Sequence, residues 1–181
     1  MLNPISKKLA LLSDLNTDIV RLTKTSSTPH LVLTGYSAIE FYTNGACLYL
    51  DLDVLCNEPE LLSKILPSYG FTQEERFWYN DEENLVIECL GYYQGERIIK
   101  FESKFGIASV LSPEEIILNL LEDWHWCGHS DNRIWAKILL EKELSELADE
   151  PSIDLEYLKS TALELGISDT LEKLLLETTK G

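Results

Sequence analysis

Two aspartates one residue apart, Asp51 and Asp53, lie inside the apolar run Leu48-Tyr49-Leu50-Asp51-Leu52-Asp53-Val54-Leu55. Alternate side chains of a strand share a face, so the two carboxylates project together about 7 Å apart. Leu48, Leu50, Leu52 and Val54 then point the other way, into a core. Aspartate is depleted in strands and costly to bury unpaired. Two side by side call for a cation, and a divalent metal is the first to suspect. Upstream stands Gly35-Tyr36-Ser37-Ala38, a turn in which Gly35 frees the backbone and Ser37 is placed to open a helix. A third acid, Glu88, falls in the run Leu85 to Leu90, on the face it shares with Val86 and Leu90.

Plainer readings stand beside these. A neighbouring Lys or Arg, or exposure on an edge strand, would also satisfy Asp51 and Asp53. Glu88 on an open sheet face would be solvated, and Ser37 would serve only as a helix cap. His125, Cys127 and His129 suggest zinc, but Gly128 interrupts the helix between the histidines and a fourth ligand is not evident. They read as packed side chains at a helix end.

The surrounding pattern supplies the scaffold. Leu9, Leu12, Leu15, Ile19 and Leu22 recur at helical spacing and predict a helix over 5–24, closed by the polar linker Thr25 to Pro29. Leu31 to Leu33 reads as a short buried strand, followed by a helix from Ser37 through Tyr42. Asn57 is placed to cap a helix with Pro59 in its first turn. Strand-like runs follow at Phe77 to Tyr79, Leu85 to Leu90, Arg97 to Phe101 and Ile107 to Leu111. Ser112-Pro113-Glu114-Glu115 then carries an N-cap serine, a first-turn proline and a glutamate three residues on. Helices are predicted at 113–126, 131–147, 154–165 and 169–178, with Asp154 as a cap and Gly166 as a stop. The division is an α/β head over 1–111 and a helical lobe over 112–181.

Composition removes whole classes of function. The 181 residues hold 31 Asp and Glu against 15 Lys and Arg, a formal net charge of −16. Such a potential repels polyanions, so nonspecific nucleic-acid binding is not expected, whereas a basic protein partner is admissible. Only Arg97, Lys100 and Lys104 form a candidate local basic patch. Cys47, Cys56, Cys89 and Cys127 are scattered without CxxC spacing and no secretory signal is visible, which reads as reduced thiols in a cytoplasmic protein. No apolar run is long enough for a membrane span.

Taken together, strand, Gly-x-Ser turn, helix, Asp-x-Asp strand and a later acidic strand resemble the nucleotidyltransferase fold of the DNA polymerase β type. The tail, with Val110-Leu111-Ser112-Pro113-Glu114-Glu115, Trp124 and Trp126, Ser130 to Arg133 and Leu155-Glu156-Tyr157-Leu158, is similar to the C-terminal region of minimal bacterial nucleotidyltransferases related to abortive-infection toxins. The resemblance implies an α+β fold: a mixed sheet with flanking helices and a C-terminal helical lobe. It also implies Mg²⁺ on Asp51, Asp53 and Glu88, an NTP substrate, Gly35 close to the phosphates and Ser37 donating to a phosphate oxygen. Transfer of NMP to an acceptor hydroxyl, in a toxin–antitoxin or phage-defence setting, follows by the same resemblance. Tyr36, Glu88 and Asn119 depart from the usual pattern, which is commonly a small residue, an aspartate and a lysine. The second reading is therefore a catalytically degenerate member acting as an acidic, antitoxin-like binding partner.

Overall fold

A computed structural model describes residues 4–25, 29–45, 49, 51–103, 106–144 and 153–178. The chain divides into two units, Met1–Leu111 and Ser112–Gly181. The first contains α1 (Pro4–Thr23), β1 (Leu31–Leu33), α2 (Gly35–Tyr42), β2 (Asp51–Cys56) and α3 (Pro59–Ile65), then β3 (Thr72–Glu74), β4 (Phe77–Asn80), β5 (Leu85–Gly91), β6 (Ile98–Ser103) and β7 (Gly106–Leu111). The second contains α4 (Pro113–Cys127), α5 (Ser130–Glu143), α6 (Leu155–Glu164) and α7 (Ser168–Thr178). The fold class is the expected α+β.

The seven strands among the described residues form one sheet in the order β3-β4-β5-β2-β1-β7-β6. Its centre is mixed: β2 pairs antiparallel with β1 but parallel with β5, and β1 pairs parallel with β7. Parallel neighbours need a crossover, so residues distant in sequence meet at the middle. The register that matters sets Asp51 beside Val86 and Asp53 beside Glu88. Between them Leu52 and Ile87 turn to the opposite face and are buried, in a core that also holds Leu12, Leu15, Ile19, Leu31, Leu33 and Ile39. The alternation expected for the acidic strand is therefore seen at Leu52 and Val54; Leu48 and Leu50 lie outside the described residues, as do Cys47, Lys104, Ser26 to Thr28 and 145–147.

Three local details differ from the sequence reading. The second helix starts at Gly35, not Ser37, with Thr34 at the N-cap; Gly35 adopts φ +56° and so joins the strand to the helix without a longer turn. Glu58 rather than Asn57 occupies the N-cap of α3, and the Asn57 side chain instead accepts from the Tyr93 amide. An extra strand, β3, has all three residues exposed and is held by pairing with β4. In the helical unit the Ser112 hydroxyl accepts from the Glu115 amide, and Asp154 accepts from the Tyr157 amide, as their types require. Cys56, Cys89 and Cys127 are free thiols.

Candidate active site

Asp51 and Asp53 stand on one face of β2, and the parallel register places Glu88 of β5 directly beside Asp53. Three acids thus share a patch of sheet. Asp53 is the deepest, only 8 % exposed. Burial pushes its pKa from 3.8 up to about 6; bonds from the Ser37 and Tyr36 backbone amides pull it down, while the negative charges of Asp51 and Glu88 push it up. The Tyr36 amide donates to Asp53 Oδ2 at 3.1 Å. Asp53 therefore sits where the first turn of α2 offers unsatisfied N–H groups and a partial positive charge.

Gly35 and Ser37 also bear directly on the two aspartates. A Cβ on Gly35 would lie 2.5 Å from Asp53 Oδ2 and 3.0 Å from its Cγ, so the glycine leaves room for the carboxyl group. Ser37 is buried; its Oγ donates to Asp51 O at 2.6 Å and accepts from the Asp53 amide at 3.0 Å. Its one hydroxyl hydrogen is used on β2, and at the start of the helix the Tyr36 amide is used on Asp53. Both residues position the aspartates. Tyr36, the bulky residue after the glycine, stacks on Tyr49 with ring centroids 4.8 Å apart.

Three charged residues that sequence patterning does not single out, Lys8, Glu40 and Arg76, complete the site's surroundings. Lys8 of α1 is buried and donates to Glu40 of α2 at 2.6 Å, to Tyr49 O at 2.5 Å and to Asp51 O at 3.0 Å. It faces the backbone of Asp51, not its carboxylate, so it ties two helices to the acidic strand without neutralising the acid. The sequence signal was Glu40 alone in the apolar stretch Ala38 to Tyr42. Arg76, in the turn before β4, pairs with Glu88 through Nε and Oε1 at 2.9 Å. Glu88, whose plainer reading was solvation on an open sheet face, is instead ion-paired, while among the described residues the Lys and Arg ion pairs leave Asp51 and Asp53 aside.

The donor set is carboxylate oxygen throughout, which suits a hard cation such as Mg²⁺. Among the described residues no three His, Cys, Asp or Glu side chains are gathered into a ready metal cage. Mg²⁺ does not require one, since it commonly takes one or two carboxylates and completes its shell with water and substrate phosphates. Asp51 and Asp53 meet that requirement. In the helical unit, His129 pairs with Asp123 at 2.6 Å and His125 with Thr170 at 2.6 Å, while Gly128 ends α4 in the left-handed region. These side chains hold helix ends together.

No protein-family model matches the chain, and no curated protein matches it. Among solved structures it is similar to the antibiotic-resistance factor ANT(2'')-Ia, whose solution structure describes substrate-regulated conformation dynamics. The two share 13% identity at a TM-score of 0.50, over 88% of this chain and 92% of that one. At that identity the likeness speaks for architecture alone, and with the mixed seven-stranded sheet it assigns the chain a nucleotidyltransferase fold.

Proposed function

We propose that this chain is a Mg²⁺-dependent nucleotidyltransferase that moves NMP from an NTP to an acceptor hydroxyl. One observation carries the reading: Asp51 and Asp53 share a face of β2, with Glu88 in register beside them, in a nucleotidyltransferase fold. Asp51 and Asp53 would hold the ion, which neutralises charge on the triphosphate during phosphoryl transfer. The acceptor oxygen bonds to the α-phosphorus, the bond to the bridging oxygen breaks, and pyrophosphate leaves. The hydroxyl proton passes to a carboxylate of the acidic face, with Glu88 the candidate third member. Gly35 and Ser37 serve by holding Asp53 and Asp51 in place.

Small molecules, protein side chains and RNA ends all offer acceptor hydroxyls; the net charge of −16 argues against a long RNA. The resemblance to abortive-infection nucleotidyltransferases suggests a toxin–antitoxin or phage-defence setting. Calorimetry with ATP, GTP, CTP and UTP in the presence of Mg²⁺ tests the reading. Binding that vanishes in Asp51→Asn/Asp53→Asn supports it, and silence with all four nucleotides ends it.

A second reading is favoured by the Arg76–Glu88 pair, which occupies the third acid. In it the chain is a degenerate member whose acidic surface docks a basic protein. Co-purification of a strongly basic partner, together with absent nucleotide binding, would select it.

A further inference from the structure

Glu88 and Arg76 differ sharply in their surroundings. The Glu88 side chain is 13 % exposed, whereas that of Arg76 is 72 % exposed, so one partner is set into the sheet and the other reaches it from solvent. Arg76 lies between Glu75, which adopts φ +54°, and Phe77, the first residue of β4. Phe77 is opposite Glu88, and Glu88 is opposite Asp53, so a single row of registered positions runs from the Arg76 turn to the deepest acid. The guanidinium also lies 4.8 Å from the centre of the Phe77 ring, a second resting contact that does not use Glu88.

Three carboxylates on one patch repel one another, and a single positive charge at the rim lowers that repulsion while no other cation is present. An exposed guanidinium is weakly held, since its pairing with a carboxylate competes with water and salt. A divalent ion brings twice the charge to the same face. Once released, the planar guanidinium fork matches the paired oxygens of a phosphate better than an ammonium would.

We propose that Arg76 is a displaceable counter-ion of the acidic face: it neutralises Glu88 until a divalent ion binds, then turns to the triphosphate. This rests on the nucleotidyl-transfer reading and names how that site is kept neutral and then loaded. It predicts opposite signs in two binding measurements on one variant.

The test is titration of the full chain with Mn²⁺ alone, then with each of the four NTPs at saturating Mn²⁺. Arg76→Ala should bind Mn²⁺ roughly two- to fivefold more tightly than the wild type, the range an exposed ion pair is worth. The same variant should bind the preferred nucleotide roughly tenfold or more weakly, the loss expected for a charge-assisted bond. Arg76→Lys should keep wild-type Mn²⁺ affinity and still lose nucleotide affinity, because the charge stays and the fork is gone. Thermal melts of each variant control for folding. If the wild type binds Mn²⁺ through Asp51 and Asp53 but Arg76→Ala binds it no more tightly, the counter-ion role is wrong and the nucleotidyltransferase reading stands. Tighter Mn²⁺ binding with unchanged nucleotide affinity overturns the turn toward the triphosphate. If the wild type takes up no Mn²⁺ by itself but binds a nucleotide with Mn²⁺ present, the counter-ion role is wrong and the nucleotidyltransferase reading stands; if it binds neither the ion nor any of the four nucleotides, both ideas fall.

Discussion

Asp53 bears the electrostatic cost of the site, and that cost has a sign. Its pKa in the folded chain is about 6, against an ordinary 3.8. The folded state therefore holds the proton more tightly than the unfolded chain does, and stability from this group is fully present below about pH 4. It is lost as the pH rises toward 6, and the shift corresponds to a cost on the order of 3 kcal/mol above that. Asp53→Asn, which keeps an oxygen for the Tyr36 amide, should raise the melting temperature at pH 8 and change it little at pH 4, as read by differential scanning fluorimetry at the two pH values. Mg²⁺ should likewise stabilise the wild type more at pH 8 than at pH 4, and the variant less than the wild type. Gly35→Ala works in the other direction. It combines a left-handed φ, worth about 1–2 kcal/mol, with a Cβ placed 2.5 Å from Asp53 Oδ2. Lower thermal stability together with weakened Mn²⁺ uptake is the expected pair of results; a variant that loses neither would mean the carboxyl group moves aside freely.

Among the elements, α1 and α2 are tied to β2 by Lys8, whose ammonium meets Glu40 and two backbone carbonyls in a buried setting. Removing one partner of such a pair leaves a buried charge and costs about 3–5 kcal/mol. Lys8→Met should show a loss of that order in urea unfolding of the first unit, and Lys8→Met/Glu40→Leu should recover part of it. Only part, because the Tyr49 and Asp51 carbonyls still lose their donor. This pair was hidden in the sequence: a lysine beside Leu9 in an amphipathic helix reads as surface, and nothing local says that Glu40 will meet it. Periodic elements were legible, since α1, β1, β5 and α4 announce themselves by apolar spacing and by the Ser112-Pro113 start. β3 was not, because Thr72-Gln73-Glu74 has no apolar face and exists through its hydrogen bonds to β4. The acids Asp51 and Asp53 could be placed on one face from alternation alone. That Glu88 would stand beside Asp53, and that Arg76 would reach it, depends on a parallel pairing no local pattern encodes.

For the molecule as a whole, the charge of −16 sets the outer limits on partners. Fluorescence anisotropy with a random single-stranded RNA at 0.15 M salt should show affinity no better than about 100 μM, the weak end of nonspecific binding. Saturable binding well below that concentration would require a basic patch that the total charge conceals. None of the described helices is long and apolar enough to cross a membrane. The sheet order also has a bearing on biogenesis. β2 leaves the ribosome well before β5, yet the two are neighbours at the centre of the sheet, and β1 must wait for β7. A nascent chain that ends after Asp53 but before Glu88 has its aspartates but no third acid to set beside them. The acidic face is therefore completed only once β5 has been made, near the midpoint of synthesis, and a translation product interrupted before it would carry two of the three acids without the neighbouring strand that sets the third beside them.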